Sequence, residues 1–250
     1  MANTFLAQQS RMVLEAYANG VGLPASVFAS GELTIAERPE SAPWPYLVFA
    51  LSCPGGTVVS VAREYLGVAL ANKPAHPYQA TEANYLRTIA AAIQQPSRPL
   101  SIDGPNITWA LGRIPEVRSL PTGMSYQRFD AAWLNGHIPG GAFPNGAGRT
   151  GENAREIRNR YAVAVVSSAG EPIAIAGAFL SFGLSEIGID VVEPFQGQGL
   201  GVAAVAALTR EILDRGETPL YGCAARNIRS QRTAHAVGFV PLLADAVIDG

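Results

Sequence analysis

Cysteine is nearly absent from this 250-residue chain, which holds only Cys53 and Cys223. A disulfide framework is thereby excluded, and in a reducing compartment a single bridge between the two is not expected either. Charge is scarce as well. Asp, Glu, Lys and Arg make up 15% of the residues and leave a net charge of −2, which provides no basic field for nucleic acid and no polybasic membrane patch. Long apolar runs are missing. Tyr161 to Val166 and Ile173 to Phe182 fall far short of the ~20 residues that cross a bilayer. The start, Met1-Ala2-Asn3-Thr4, lacks the charged and apolar regions of a secretory leader. His76, His137 and His235 are too far apart for metal-ligand spacing. These absences lead to the expectation of a cytoplasmic protein with no metal, no nucleic-acid partner and no membrane partner. A hydrophobic content of 48% is enough for a sizeable core in one large domain or two small ones.

The N-terminal part predicts a mixture of helix and strand. Gln8 to Gly20 reads as an amphipathic helix with Met12, Val13, Ala16 and Tyr17 on one face. Strands are expected at Leu33 to Glu37 and Pro45 to Leu51, followed by a turn at Pro54-Gly55-Gly56. Thr57 to Ala71 and Ala80 to Gln94 read as helices, the first because Val58, Val61, Ala62, Tyr65 and Leu66 fall at helical spacing. Pro96 to Asn106, rich in Pro and Gly, is the best boundary, giving an α/β domain over 1–105 and a second over 106–250. Ile107 to Ile114 then reads as a strand that fits either side of the boundary.

In the second part, Ser125 to Leu134 reads as a helix, Asn135 to Thr150 as a Gly- and Pro-rich loop, and Gly151 to Arg160 as a charged helix. Tyr161 to Ser167, Pro172 to Ser181 and Ser185 to Val192 predict a meander with tight turns at Ala169-Gly170 and Phe182-Gly183. No residue-level repeat is visible.

The most informative segment is Gln196-Gly197-Gln198-Gly199-Leu200-Gly201. The alternating, β-branched run from Glu186 to Val192 before it predicts a strand, and Val202 to Asp214 after it predicts a helix. Glycines at 197, 199 and 201 would leave backbone N–H groups uncovered at a helix N-terminus, where unpaired donors and the helix dipole favour an anion. The dinucleotide fingerprint fails, because its third glycine would fall at Val202; the phosphate loop of nucleotide triphosphatases fails, because Val202-Ala203-Ala204 supplies no Lys-Ser/Thr pair. A glycine turn that merely packs helix against strand stays open as the competing reading.

Further on come the apolar run Leu220 to Ala225, then Asn227-Ile228-Arg229-Ser230, a helical stretch and Gly238-Phe239. In this order the motifs resemble the GNAT superfamily of N-acetyltransferases over about 116–248, most tightly over 186–239. The resemblance implies the α+β acyl-CoA N-acyltransferase fold, a mixed central sheet with flanking helices, preceded here by a smaller α/β domain. It is similar to the longer bacterial members with an extra N-terminal domain, some of which acetylate amine-bearing antibiotics. It further implies that Gln196, Gly197, Gln198, Gly199, Leu200, Gly201 and Val202 hold the pyrophosphate of acetyl-CoA. The backbone of Val191 and Val192 would pair with its pantetheine arm, and Asn227 and Ser230 would contact that arm.

The implied reaction is acetyl transfer to a primary amine of a small molecule or peptide. Such an amine is protonated near neutral pH, so a base or water chain must take a proton before it attacks the thioester. Glu186 and Asp190 share a strand face about 13 Å apart and cannot both reach one amine. Glu186 matches the position where many family members keep a Glu that works through water, and it is the preferred base; a rim carboxylate without chemical role is the alternative. A backbone N–H near Val192 would hold the oxyanion. The tyrosine acid of many members is replaced by Ala234, and His235 is turned about 100° away on the helix, so the thiolate is expected to leave without an essential side-chain acid. Cys223 beside the cleft reads as a small buried thiol. Trp109, Trp133 and Tyr126 read as core, with an acceptor pocket as the alternative. A non-catalytic acyl-CoA sensor and an interaction module are the competing functions, and a homodimer is compatible with either. No motif names the acceptor.

Overall fold

The computed structural model describes residues 2–93, 99–137, 143–149 and 157–250. In chain order these form α1 (Ala2–Gly20), β1 (Leu33–Glu37), β2 (Val48–Cys53), β3 (Gly56–Val61), α2 (Leu66–Ala71), α3 (Ala83–Ile93), β4 (Ser101–Leu111), β5 (Ser125–Asp130), α4 (Ala131–His137), β6 (Gly148–Arg149), β7 (Ile157–Val166), β8 (Pro172–Ser181), β9 (Leu184–Val191), α5 (Leu200–Asp214), β10 (Pro219–Ala224), α6 (Ile228–Val237) and β11 (Phe239–Asp249). The class is α+β with mixed sheet and flanking helices, as the sequence implied. Contacts divide the chain into two compact units. One comprises Met1–Gln9, Ala110–Gly222 and Arg229–Val240; the other comprises Ser10–Trp109, Cys223–Ile228 and Pro241–Gly250.

In the unit that contains most of the N-terminal part, β1 runs parallel to β3 with Leu33 opposite Thr57, and β2 and β3 form an antiparallel hairpin. The chain's last strand, β11, lies antiparallel to β2, with Ala246 opposite Ala50. Val48, Ala50, Val59, Val61, Leu86, Ile89, Ala246 and Ile248 close its core. Tyr17 of α1 packs on Phe49 and its hydroxyl meets that of Thr108, 3.1 Å away.

Several expectations are corrected here. Thr57 to Ala71 is not one helix: Gly56–Val61 is a strand, and only Leu66–Ala71 is α-helical. Every residue of β3 is buried, and a nearly continuous apolar run satisfies helical and strand spacing alike, so the β-branched Thr57, Val58, Val59 and Val61 decide the outcome. Ser125 to Leu134 is likewise a strand up to Asp130, paired antiparallel with β7, and a helix only from Ala131. The charged helix expected over Gly151 to Arg160 is strand from Ile157 onward; 151–156 lie outside the described residues. The strand placed at Ile107 to Ile114 begins earlier, at Ser101, and ends at Leu111. Part of the boundary segment 96–106, namely 96–98, lies outside the described residues.

The other unit carries β5, β7, β8 and β9 as an antiparallel meander, with β10 parallel to β9. Its turns are short: Phe182 and Gly183 both have positive φ, 51° and 79°, as a two-residue hairpin requires. One face of the sheet is covered by Phe129, Leu134, Phe143, Ala162, Ala164, Val166 and Ile175. The other receives α5, whose Leu200, Ala203, Ala204, Leu208 and Ile212 are buried. Among the described residues no helix is long and apolar enough to cross a membrane, and no group of His, Cys, Asp and Glu is arranged to hold a metal ion.

A polar knot ties the start of β7 to the entrance of β10. Glu217 accepts hydrogen bonds from Arg160 Nη2 at 2.6 Å, Tyr161 Oη at 2.7 Å and Ser185 Oγ. Burial alone would push this carboxyl up, but the Ser185, Arg160 and Tyr161 bonds and the Arg160 charge outweigh it and hold the pKa down to about 2. A carboxyl depressed on folding stabilises the fold above its ordinary value near 4.5, and that contribution is lost as the pH falls toward 2. Glu217→Gln is therefore expected to cost about 2 kcal/mol at neutral pH. Urea unfolding should show a smaller loss of stability between pH 4.5 and 2 in the variant than in the parent; equal losses would contradict the assignment.

Candidate active site

The site begins where β9 ends. A 3-10 turn at Glu193–Phe195 leads to Gln196 in extended backbone, and Gly197 and Gly199 follow with φ of 77° and 80°. Gly199 is the N-cap of α5 in left-handed conformation and no side chain caps the helix, so the first-turn N–H groups keep their donors for an outside partner. A Cβ at Gly197 or Gly199 would meet nothing within 4 Å; the space above the turn is open. Gly201 does a different job. A Cβ there would come within 3.2 Å of Val191 Cγ2, and its absence lets α5 lie close on β9. The competing packing reading of the turn therefore applies to its third glycine, while the first two supply the exposed left-handed backbone.

Side chains brace this turn. Gln196 Nε2 donates to the Val191 carbonyl at 3.0 Å, and Gln196 Oε1 accepts from Arg229 Nη1 at 2.8 Å. Gln198 Nε2 donates to the Pro194 carbonyl at 3.2 Å. Arg229 thus brings a guanidinium to the turn, a contribution the sequence reading did not assign. A small cleft of about 70 Å³ beside the first turns of α5 is lined by Arg113, Glu116 and Arg118 together with Val202 and Ala206.

β9 and β10 pair over Ser185 to Ile187 and Pro219 to Tyr221, while β9 continues to Val191. Val191 and Val192 follow that paired stretch, half-buried. Asn227 lies in the turn between β10 and α6, where its N–H donates to the Ala224 carbonyl. The Ser230 hydroxyl is 2.8 Å from that of the buried Tyr221, so it anchors α6 to β10.

The even-numbered residues of β9 face away from α5. Glu186, opposite Phe179 on β8 and Leu220 on β10, turns its carboxylate onto the backbone of Gly222; a Cβ there would sit 2.6 Å from Oε1. The glycine makes room for the carboxylate, which sequence spacing could not reveal. Asp190 is occupied differently. Its carboxylate accepts from Asn145 N at 2.6 Å, Asn145 Nδ2 at 2.7 Å and Gly146 N at 2.8 Å. The two carboxylates of one strand face therefore have separate surroundings.

At the position of the missing tyrosine, Ala234 is fully buried, and His235 beside it is exposed. Cys53 and Cys223 form no disulfide and are half-buried rather than fully so. Trp109 is buried, Trp133 stacks on Phe129 with ring centroids 3.5 Å apart, and Tyr126 donates its hydroxyl to the Arg118 carbonyl.

Residues 166–246, which contain β8 to α6 and the turn, match the family described as FR47-like protein. No curated protein matches the chain. Solved structures to which the chain is similar include a GNAT-family protein of Novosphingobium aromaticivorans at 18% identity and TM-score 0.43, covering 60% of this chain and 64% of that one. A GCN5-related N-acetyltransferase-like protein of Streptococcus suis is 16% identical, with TM-score 0.48, and covers 97% and 99%. A tandem GNAT protein from the clavulanic acid biosynthesis pathway is 14% identical, with TM-score 0.47, and covers 95% and 94%. The chain thus spans just under two thirds of the Novosphingobium protein. The family match over 166–246 falls on the segment whose motifs carry the resemblance.

Proposed function

We propose that this protein is an acetyl-CoA-dependent N-acetyltransferase acting on a primary amine of a small molecule or peptide, with residues 106–250 as its catalytic part. The observation that carries the reading is the uncapped, open N-terminus of α5 behind two left-handed glycines at the end of β9. That backbone suits a pyrophosphate, and Arg229 held by Gln196 adds positive charge beside it. The backbone of Val191 and Val192 and the residues Asn227 and Ser230 would meet the pantetheine arm. Glu186 would take the proton, directly or through water, as the amine nitrogen bonds to the acetyl carbon. The carbon–sulfur bond then breaks and the thiolate of CoA departs. A thiolate is a good leaving group, which suits a site where Ala234 offers no acid.

The buried Ala234 also favours a second reading, a module that binds acyl-CoA without chemistry. Calorimetry with acetyl-CoA tests binding, and an amine library with detection of released CoA thiol separates enzyme from module: binding without thiol release from any amine supports the module.

The turn makes a prediction about charge. Gln198→Glu places a negative charge next to the N-terminus of α5, a gain of about 0.3–1 kcal/mol that the lost Gln198 Nε2 bond to the Pro194 carbonyl offsets, so the stability of the free protein should change little. The same charge repels pyrophosphate, so acetyl-CoA affinity should fall by about tenfold or more. Thermal unfolding and calorimetry on one preparation check both; unchanged affinity would remove the turn from the binding site.

Glu186→Gln keeps the shape over Gly222 but not the basicity. Turnover near neutral pH should fall by about 10²–10⁴ with acetyl-CoA affinity unchanged, and full activity would dismiss Glu186 as base. His235→Ala should retain most activity, since His235 is exposed while Ala234 beside it is buried. A loss of about a hundredfold in steady-state turnover would instead assign His235 the acid's role.

A further inference from the structure

The segment 143–149 is fastened to the face of the sheet that carries Glu186 by an arrangement the acetyl-transfer reading does not use. Asn145 is held on three sides. Its N–H and Nδ2 both donate to Asp190, its carbonyl accepts from Asn159 Nδ2 at 3.1 Å, and the next N–H, of Gly146, returns to Asp190 Oδ2. The fit leaves no slack. A Cβ at Gly188 would overlap the Asn145 carbonyl oxygen, one at Gly177 would overlap that of Gly146, and one at Gly146 would overlap that of Ile175. Gly177 and Gly188 stand opposite each other on β8 and β9, so the turn rests on a patch of sheet that has no side chains.

Gly188 lies midway between Glu186 and Asp190 on one strand face, about 7 Å from each along the strand. The Asn145–Gly146 backbone is therefore a wall beside Glu186, and Asp190 is the bolt that holds it. Asp190 accepts from three donors at 2.6–2.8 Å, all from Asn145 and Gly146. It does not face the turn that would hold the cosubstrate: α5 packs against the odd-numbered residues Ile189 and Val191 on the opposite face.

We propose that Asp190 is a positioning residue for the amine acceptor, acting through Asn145 and Gly146 to fix the wall beside Glu186. This deepens the acetyltransferase reading and rests on it. Asp190→Asn puts an amide where three donors converge, so one contact becomes a donor facing a donor. Amide exchange at Asn145 and Gly146 should speed up by about tenfold or more. With the best amine from the library, KM should rise by about tenfold while kcat stays within about threefold and the Kd of acetyl-CoA within about twofold. Asn145→Ala removes only the Nδ2 bond and should shift exchange and amine KM the same way by less; it carries the test if Asp190→Asn does not fold.

Amides that stay protected in Asp190→Asn overturn the proposal, as do released amides with an unchanged amine KM. An equal loss of acetyl-CoA affinity would show a general structural role instead and also overturn it. A parent protein that binds acetyl-CoA but releases thiol with no amine overturns the acetyltransferase reading and this inference with it, whereas an active parent with an indifferent Asp190→Asn overturns the inference alone.

Discussion

Close approach of one backbone to another, with no β-carbon between, is the constraint on which the site's architecture depends. It is seen where Asn145 and Gly146 lie on Gly177 and Gly188; at Gly201 the missing β-carbon admits the Val191 and Ile189 side chains, and at Gly222 the Glu186 carboxylate. The first gap is filled by main chain, the second by hydrocarbon and the third by a charged group. Such contacts bury peptide groups, and buried peptide groups must find partners. The polar side chains follow from that requirement: Asp190 for two N–H groups, Asn159 for a carbonyl, Gln196 for another.

Charge in this unit is divided by task. Glu217 and Glu211 are held below the usual carboxylate range; burial opposes this, but hydrogen bonds from Ser185, Arg160 and Tyr161 in the first case and from Arg128 and Arg215 in the second prevail. These pairs join strands and helix ends at one side of the sheet. Arg113, Arg118 and Arg229 are exposed instead, and they lie by the cleft and the turn at the first residues of α5. With few charges in the chain, their placement separates what holds the fold from what is available to an anionic ligand.

Features encoded by neighbouring residues were legible in the sequence. Alternation placed β9, and strand composition and turn residues placed β1 and β8, all to within a residue; the glycines before Leu200 announced the turn, because a left-handed backbone position needs a particular residue at that place. Features that depend on distant partners were not. β3 lacks alternation because both of its faces are covered, and β5 looks helical because it is short and largely exposed. β11, which contains Pro241 and takes its pairing from β2 far back in the chain, was not expected at all. The same limit applies at the site. Glu186 and Asp190 are equivalent by spacing, and only Gly222 on one side and Asn145 on the other distinguish them. Arg229 was visible within Asn227-Ile228-Arg229-Ser230, but its bond to Gln196 joins residues separated by a helix and a strand.

The parting of β9 and β10 has a consequence for solubility. After Ile187 and Tyr221 their pairing ends, and the remaining stretch of β9 offers main-chain groups on that side, as the border strand of a sheet does. Open borders invite a foreign strand to add on, and proteins blunt them with bulky or polar side chains. Gln196 reaches back to the Val191 carbonyl and is itself gripped by Arg229, so a side chain stands where an intruding strand would dock its last donor. That border is guarded against strand addition by the residue that opens the turn before α5.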